Sequence, residues 1–96
     1  MQPQTPLITA LFQGKIPAIK ELLSQGHDPN QKDSEGVTPL IHAADICPEL
    51  VKVLIQHGAD VNYRCPTNGY TPLAIAQLNG DVESEALLRE AGAVEV

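Results

Sequence analysis

Apolar residues along this chain fall in short blocks at helical spacing, separated by polar punctuation, and the blocks recur. Leu7-Ile8 and Ala10-Leu11 are followed by Ile19 and Leu22-Leu23; Leu40-Ile41 and Ala43-Ala44 by Leu50-Val51 and Val53-Leu54-Ile55; Leu73 and Ile75-Ala76 by Leu87-Leu88. Positions three and four apart lie on one side of an α-helix, so each block predicts a short amphipathic helix. The aliphatic residues that fill the blocks, with only Phe12, Tyr63 and Tyr70 aromatic, also lean helical.

The punctuation has one period. Thr5-Pro6-Leu7, Thr38-Pro39-Leu40 and Thr71-Pro72-Leu73 are spaced by 33 residues, twice. Thr can cap a helix start, and Pro in the first turn loses no needed donor, so helices should begin near residues 5, 38 and 71. Gly26, Gly58 and Gly92 each follow an apolar block and supply a left-handed helix end, so helices should stop near residues 25, 57 and 91. A break divides each span: Gly14 to Pro17, Cys47-Pro48, and Gly80-Asp81. Each unit is therefore read as two short antiparallel helices. Pro17 and Pro48 sit in the first turns of second helices, and Asp81 stands as an N-cap. The connections from Gly26 to Val37 and from Gly58 to Tyr70 carry turn and hairpin residues.

On these residues the chain resembles the ankyrin repeat family. The middle unit carries the pattern in Gly36-Val37-Thr38-Pro39-Leu40-Ile41-His42-Ala43-Ala44, in Leu50 to Ile55, and in Gly58-Ala59-Asp60-Val61-Asn62. The third unit matches from Thr71 to Ala93. The resemblance implies an all-α ankyrin-repeat solenoid of three helix-turn-helix units joined by hairpin-like finger loops. It implies a single domain over 1–96, with repeats expected at about 4–36, 37–69 and 70–96.

Two departures carry expectations. The His that the family places after Thr-Pro-Leu is replaced by Ile8, Ile41 and Ala74, which removes a Thr-to-imidazole bond and should leave the helix starts less rigidly held. The middle unit lacks one residue between its helices and has one extra in the loop Tyr63 to Gly69. At the ends, Glu21 replaces the residue type of Val53, while Ser84, Glu85 and Arg89 replace those of Leu50, Val51 and Ile55. Polar residues at end faces are what a capped array requires, so three units are expected to form a complete array.

Charge narrows the function. Twelve acidic against six basic residues give a net charge of −6, which opposes nucleic acid and anionic membrane surfaces. Cys47 and Cys65 are read as reduced thiols, and the N-terminus shows no basic residue ahead of its short apolar run, so a cytoplasmic location is expected. His42, Cys47, His57 and Cys65 are metal-capable but contain no closely spaced ligand pair. Cys47 near His42 has no oxyanion-stabilising turn, and the glycines are never grouped as a phosphate loop. The expectation is a non-catalytic monomer without cofactor or metal.

The family resemblance places a partner-binding surface on the finger tips and the exposed ends of the first helices. Carried over residue by residue, the fingers contribute Ser34, Glu35 and Val37, then Thr67, Asn68 and Tyr70. The helices contribute Phe12 and Gln13, Asp45 and Ile46, and Leu78 and Asn79. Phe12, Ile46, Tyr70 and Leu78 are apolar where the fold does not need burial, which marks an interaction site unless Phe12 and Leu78 merely pack on the second helices of their own units. The implied partner is another protein with a basic surface, held by an adaptor or inhibitor; the competing reading is an ankyrin segment of a larger protein. Asn62, and less clearly Asn30, also resembles the asparagine hydroxylated in animal ankyrin repeats, although Asn is an ordinary hairpin residue there.

Overall fold

The computed structural model describes residues 6–94. They form α1 (Pro6–Gln13), α2 (Ile16–Ser24), α3 (Pro39–Ala44), α4 (Pro48–Gln56), α5 (Pro72–Leu78) and α6 (Val82–Glu90), with no strand among them. Each helix pair packs together; α1, α3 and α5 stack in one row, and α4 packs on α6 in a second. The result is the all-α repeat solenoid that the 33-residue period implies.

The predicted starts hold for local reasons. The Thr38 hydroxyl accepts from the Ile41 amide at 3.4 Å and the Thr71 hydroxyl from the Ala74 amide at 3.1 Å, each followed by Pro in the first turn. Both caps form although Ile41 and Ala74 stand where the family places histidine. Thr5 lies outside the described residues. Asp81 caps α6, accepting from the Ser84 amide at 3.1 Å.

The second helix of each unit ends by one design. At Gly58 the backbone turns left-handed (φ +91°), the Gly58 amide reaches the Ile55 carbonyl, and the Ala59 amide reaches back to Leu54. That pairing satisfies carbonyls which would otherwise end the helix without partners. The missing residue of the middle unit also has a visible consequence. Its inter-helix turn runs through Asp45, Ile46 and Cys47 with no left-handed residue, whereas Gly14 and Gly80 supply one in the outer units.

The core runs through all three units, with Leu7, Ile8, Leu11, Ile19, Leu40, Leu50, Leu54, Leu73 and Leu88 fully buried. Ile8 is part of it, so the residue that replaces histidine trades a hydrogen bond for apolar burial. Between units, asparagines join the hairpins. Asn30 donates from Nδ2 to the Gly58 carbonyl (3.3 Å) and accepts the Asp60 amide at Oδ1 (2.6 Å). Asn62 does the same one unit later, to Gly92 (3.1 Å) and Val94 (3.0 Å).

One end-face expectation is corrected. Ser84 is completely buried rather than facing water, because its hydroxyl donates to Asp81 Oδ2 at 2.6 Å and folds back onto the helix start. A small hydroxyl can enter a core when its donor is satisfied. Glu21 and Arg89 are exposed, and Arg89 pairs with half-buried Glu85 at 3.0 Å, one helical turn away.

Candidate protein-binding surface

The candidate residues fall into two rows. Phe12, Gln13, Asp45, Ile46, Leu78 and Asn79 lie at the ends of the first helices, all exposed. Ser34, Glu35, Thr67, Asn68 and Tyr70 lie on the two fingers, also exposed. The four large apolar members are open to solvent, at 51% for Phe12, 43% for Ile46, 40% for Tyr70 and 66% for Leu78.

Contacts within each row set its shape. Asn79 donates to Asp45 Oδ1 at 2.8 Å, tying the tip of α5 to that of α3. Phe12 meets the His42 ring of the next unit edge-on, with centroids 4.9 Å apart and planes at 72°. That geometry is favourable between rings. Phe12 thus packs across the unit boundary and still exposes half its surface.

The fingers are clasped to each other. The Thr67 hydroxyl donates to the Glu35 carbonyl at 2.6 Å, and the Tyr63 hydroxyl to the Gly36 carbonyl at 2.8 Å. Beneath them Cys65 is fully buried with Val37 and Ile41. Val37 is therefore removed from the candidate surface: the longer second finger folds over it, leaving it 9% exposed. Within the second finger, the Asn68 side chain accepts the Tyr70 amide at 2.9 Å, and Arg64 donates to the Gly69 carbonyl at 2.9 Å.

Charge is held in place on this face. Asp33 accepts at Oδ1 from the Glu35 and Val37 amides (2.9 and 3.0 Å), and its Oδ2 lies 2.9 Å from His42 Nε2. Burial raises the Asp33 pKa, but the His42 imidazole and the two backbone amides outweigh it and hold the carboxyl below its ordinary value. Burial, with the Cys65 thiol and the Asp33 carboxylate near it, pushes the Tyr63 phenol up. It remains a hydroxyl donor, with the Lys32 ammonium 4.9 Å from its ring centroid.

His42 is a structural residue that no local sequence signal marks. It stands one position after the family's histidine and points to Asp33, so its role could not be read from the family position. Cys47 is half-buried and Cys65 buried, both as free thiols. Among the described residues no group of three His, Cys, Asp or Glu side chains is placed to hold a metal ion, and no helix is long and apolar enough to cross a membrane.

Comparison with known proteins agrees with this architecture. The ankyrin repeat family, described as ankyrin repeats in 3 copies, matches residues 3–95. An ankyrin repeat protein of Rickettsia felis is 37% identical over 94 residues, 96% of this chain and 24% of that protein. The potassium channel AKT1 of Arabidopsis thaliana is 36% identical over 85% of the chain and 10% of its own length. Ankyrin repeat and SAM domain-containing protein 6 of Rattus norvegicus is 37% identical over 84% of the chain and 9% of its length. The chain spans a quarter or less of these relatives. Ankyrin repeats generally bind other proteins and are typically non-catalytic. With three matched units, six helices and the recurring Thr-Pro, Gly and Asn positions in place, the chain belongs to the ankyrin repeat family.

Proposed function

We propose that this chain is a non-catalytic protein-binding module, an adaptor or inhibitor, that holds its partner on the face formed by the fingers and the first-helix tips. The observation that carries this reading is the exposure of Phe12, Ile46, Tyr70 and Leu78 along that face. Large apolar and aromatic side chains in such a position are the usual anchors of a complex, and a polar rim around them sets its register. Gln13, Ser34, Glu35, Asp45, Thr67, Asn68 and Asn79 supply that rim.

The partner is a protein with a basic surface. Glu35 and Asp45 lie among the apolar anchors, and the net charge of −6 favours encounter with a positive surface. The module works as a monomer in the cytoplasm, with no cofactor. Capture of partners from source-cell lysate tests the reading: Ile46→Ala with Tyr70→Ala should abolish the specific capture, and a variant that retains it removes these residues from the interface.

A second reading is favoured by the short share of its relatives that the chain spans, 24%, 10% and 9%. In it, the three units are the ankyrin segment of a larger protein and serve a structural or targeting role beside another domain. An open reading frame continuing past Val96 supports this alternative; a stop codon there supports the stand-alone module.

A further inference from the structure

Two of the four asparagines, Asn68 and Asn79, stand directly before glycine. Glycine has no Cβ to shield its amide nitrogen, so that nitrogen can reach back to the preceding carboxamide. Both asparagines are exposed, but their surroundings differ. The Gly69 amide donates at 2.7 Å to the carbonyl of fully buried Cys65, Arg64 holds the Gly69 carbonyl at 2.9 Å, and the Asn68 side chain accepts the Tyr70 amide. The Gly80 amide makes a longer bond, 3.1 Å to the Gln77 carbonyl, just past the end of the short helix α5, and Gly80 is itself exposed. A peptide held on both sides opens less often than one held only by a helix end.

The Asn79 carboxamide carries a further restraint in its Nδ2 bond to Asp45 Oδ1 at 2.8 Å. With ψ at −4°, the Gly80 nitrogen eclipses the Asn79 amide nitrogen and is turned away from the side chain. Attack on the carboxamide carbon therefore waits for the turn to open and this torsion to rotate, and release from Asp45 favours both.

We propose that Asn79-Gly80 is a site of spontaneous deamidation, and that its conversion replaces the tie between the tips of α3 and α5 with repulsion. The Gly80 amide gives its proton to a solvent base and its nitrogen adds to Asn79 Cγ. The Cγ–Nδ2 bond breaks, and Nδ2 takes up a solvent proton and leaves as ammonia. Water then opens the cyclic imide. Breaking the bond from the ring nitrogen to Cγ gives aspartate, and breaking the bond to the backbone carbonyl carbon gives isoaspartate. One water enters, one ammonia leaves, and nothing is oxidised or reduced. Where Nδ2 donated to Asp45, a second carboxylate now faces the first. The same change at Asn68 keeps the oxygen that accepts the Tyr70 amide, so only Asn79 turns an attraction into a repulsion. The chemistry is independent of the partner-binding reading; its effect on a partner rests on that reading, because Asp45 and Asn79 lie on the same face.

The test holds the full chain in mildly alkaline buffer and follows its peptides by mass spectrometry, with fragmentation that separates aspartate from isoaspartate. Both products should accumulate at residue 79 about tenfold faster than at residue 68, and in guanidinium chloride the two rates should converge. Asp45→Ala should speed the reaction at Asn79 about fivefold, the worth of one exposed hydrogen bond, while Asp45→Asn, which keeps an acceptor oxygen, stays near the wild-type rate. Thermal melts establish that each variant is folded; should D45A not fold, Asp45→Lys also removes the acceptor and carries the same test. Asn79→Asp should lower the melting temperature of the wild type and leave that of D45A nearly unchanged, because the repulsion needs both carboxylates. The proposal is overturned if residue 68 reacts as fast as residue 79 in the folded chain, if no isoaspartate forms at residue 79, if D45A leaves the rate unchanged, or if N79D costs the same in both backgrounds.

Discussion

The Asp33 carboxylate lies 2.9 Å from the His42 imidazole, and through it the first finger is tied to α3 and to the ring of Phe12. The Asp33 side chain is 6% exposed, and its other oxygen accepts the amides of Glu35 and Val37. Asp33→Ala should therefore cost about 2 kcal/mol in urea unfolding at neutral pH, since it leaves the part-buried Val37 amide and His42 ring without this partner. A cost near zero would mean that this network does not hold the finger.

The same carboxylate sets an acid limb. Its folded-state pKa lies below the ordinary value of 3.8, so its contribution is fully present above that value and is lost as pH falls through the lowered folded value. Stability of the wild type should drop on acidification below about pH 4, and Asp33→Asn should flatten part of that drop. Parallel urea titrations across this range check it; identical acid slopes would remove Asp33 as a contributor.

Asn62 is expected to hold the last hairpin. Asn62→Ala removes its bonds to Gly92 and Val94 and should lower stability by about 1 to 2 kcal/mol. Hydrogen exchange at the Val94 amide should accelerate more than exchange in α3. Uniform acceleration would show that the asparagine acts on global stability alone.

Burial separates residues that sequence position grouped together. Val37→Ala should destabilise by about 1 kcal/mol, because the methyl groups leave a packed site with Ile41 and Cys65. Ile46→Ala and Tyr70→Ala, at 43% and 40% exposure, should stay within about 0.5 kcal/mol of wild type. Thermal melts of the three variants compare them directly.

Most of the architecture was legible in the sequence because its signals are local. Thr38-Pro39 and Thr71-Pro72 start helices, Gly58 and Gly92 end them, and Asp81 caps α6, each through bonds within a few residues. What stayed hidden depended on contacts across units or on side-chain direction. Ser84 looks like a solvent-facing replacement until its hydroxyl is seen turned to Asp81. Val37 looks like a finger-tip residue until the longer second finger closes over it through Tyr63 and Thr67. The asparagine staples did have a signal: Asn30 and Asn62 each follow a helix-ending glycine by four residues. Their partners lie a whole unit away, beyond the reach of local reasoning.

The central claim is that Ile46 and Tyr70 anchor a partner on the finger and first-helix face. Its most direct test is quantitative affinity capture from source-cell lysate with wild type and with the Ile46→Ala, Tyr70→Ala double variant, read by mass spectrometry beside a thermal melt of each. The account predicts a specific protein retained by wild type, at least about tenfold less of it on the double variant, and nearly equal melting temperatures. Equal capture by both, or a loss of capture that tracks a collapse in melting temperature, would contradict it.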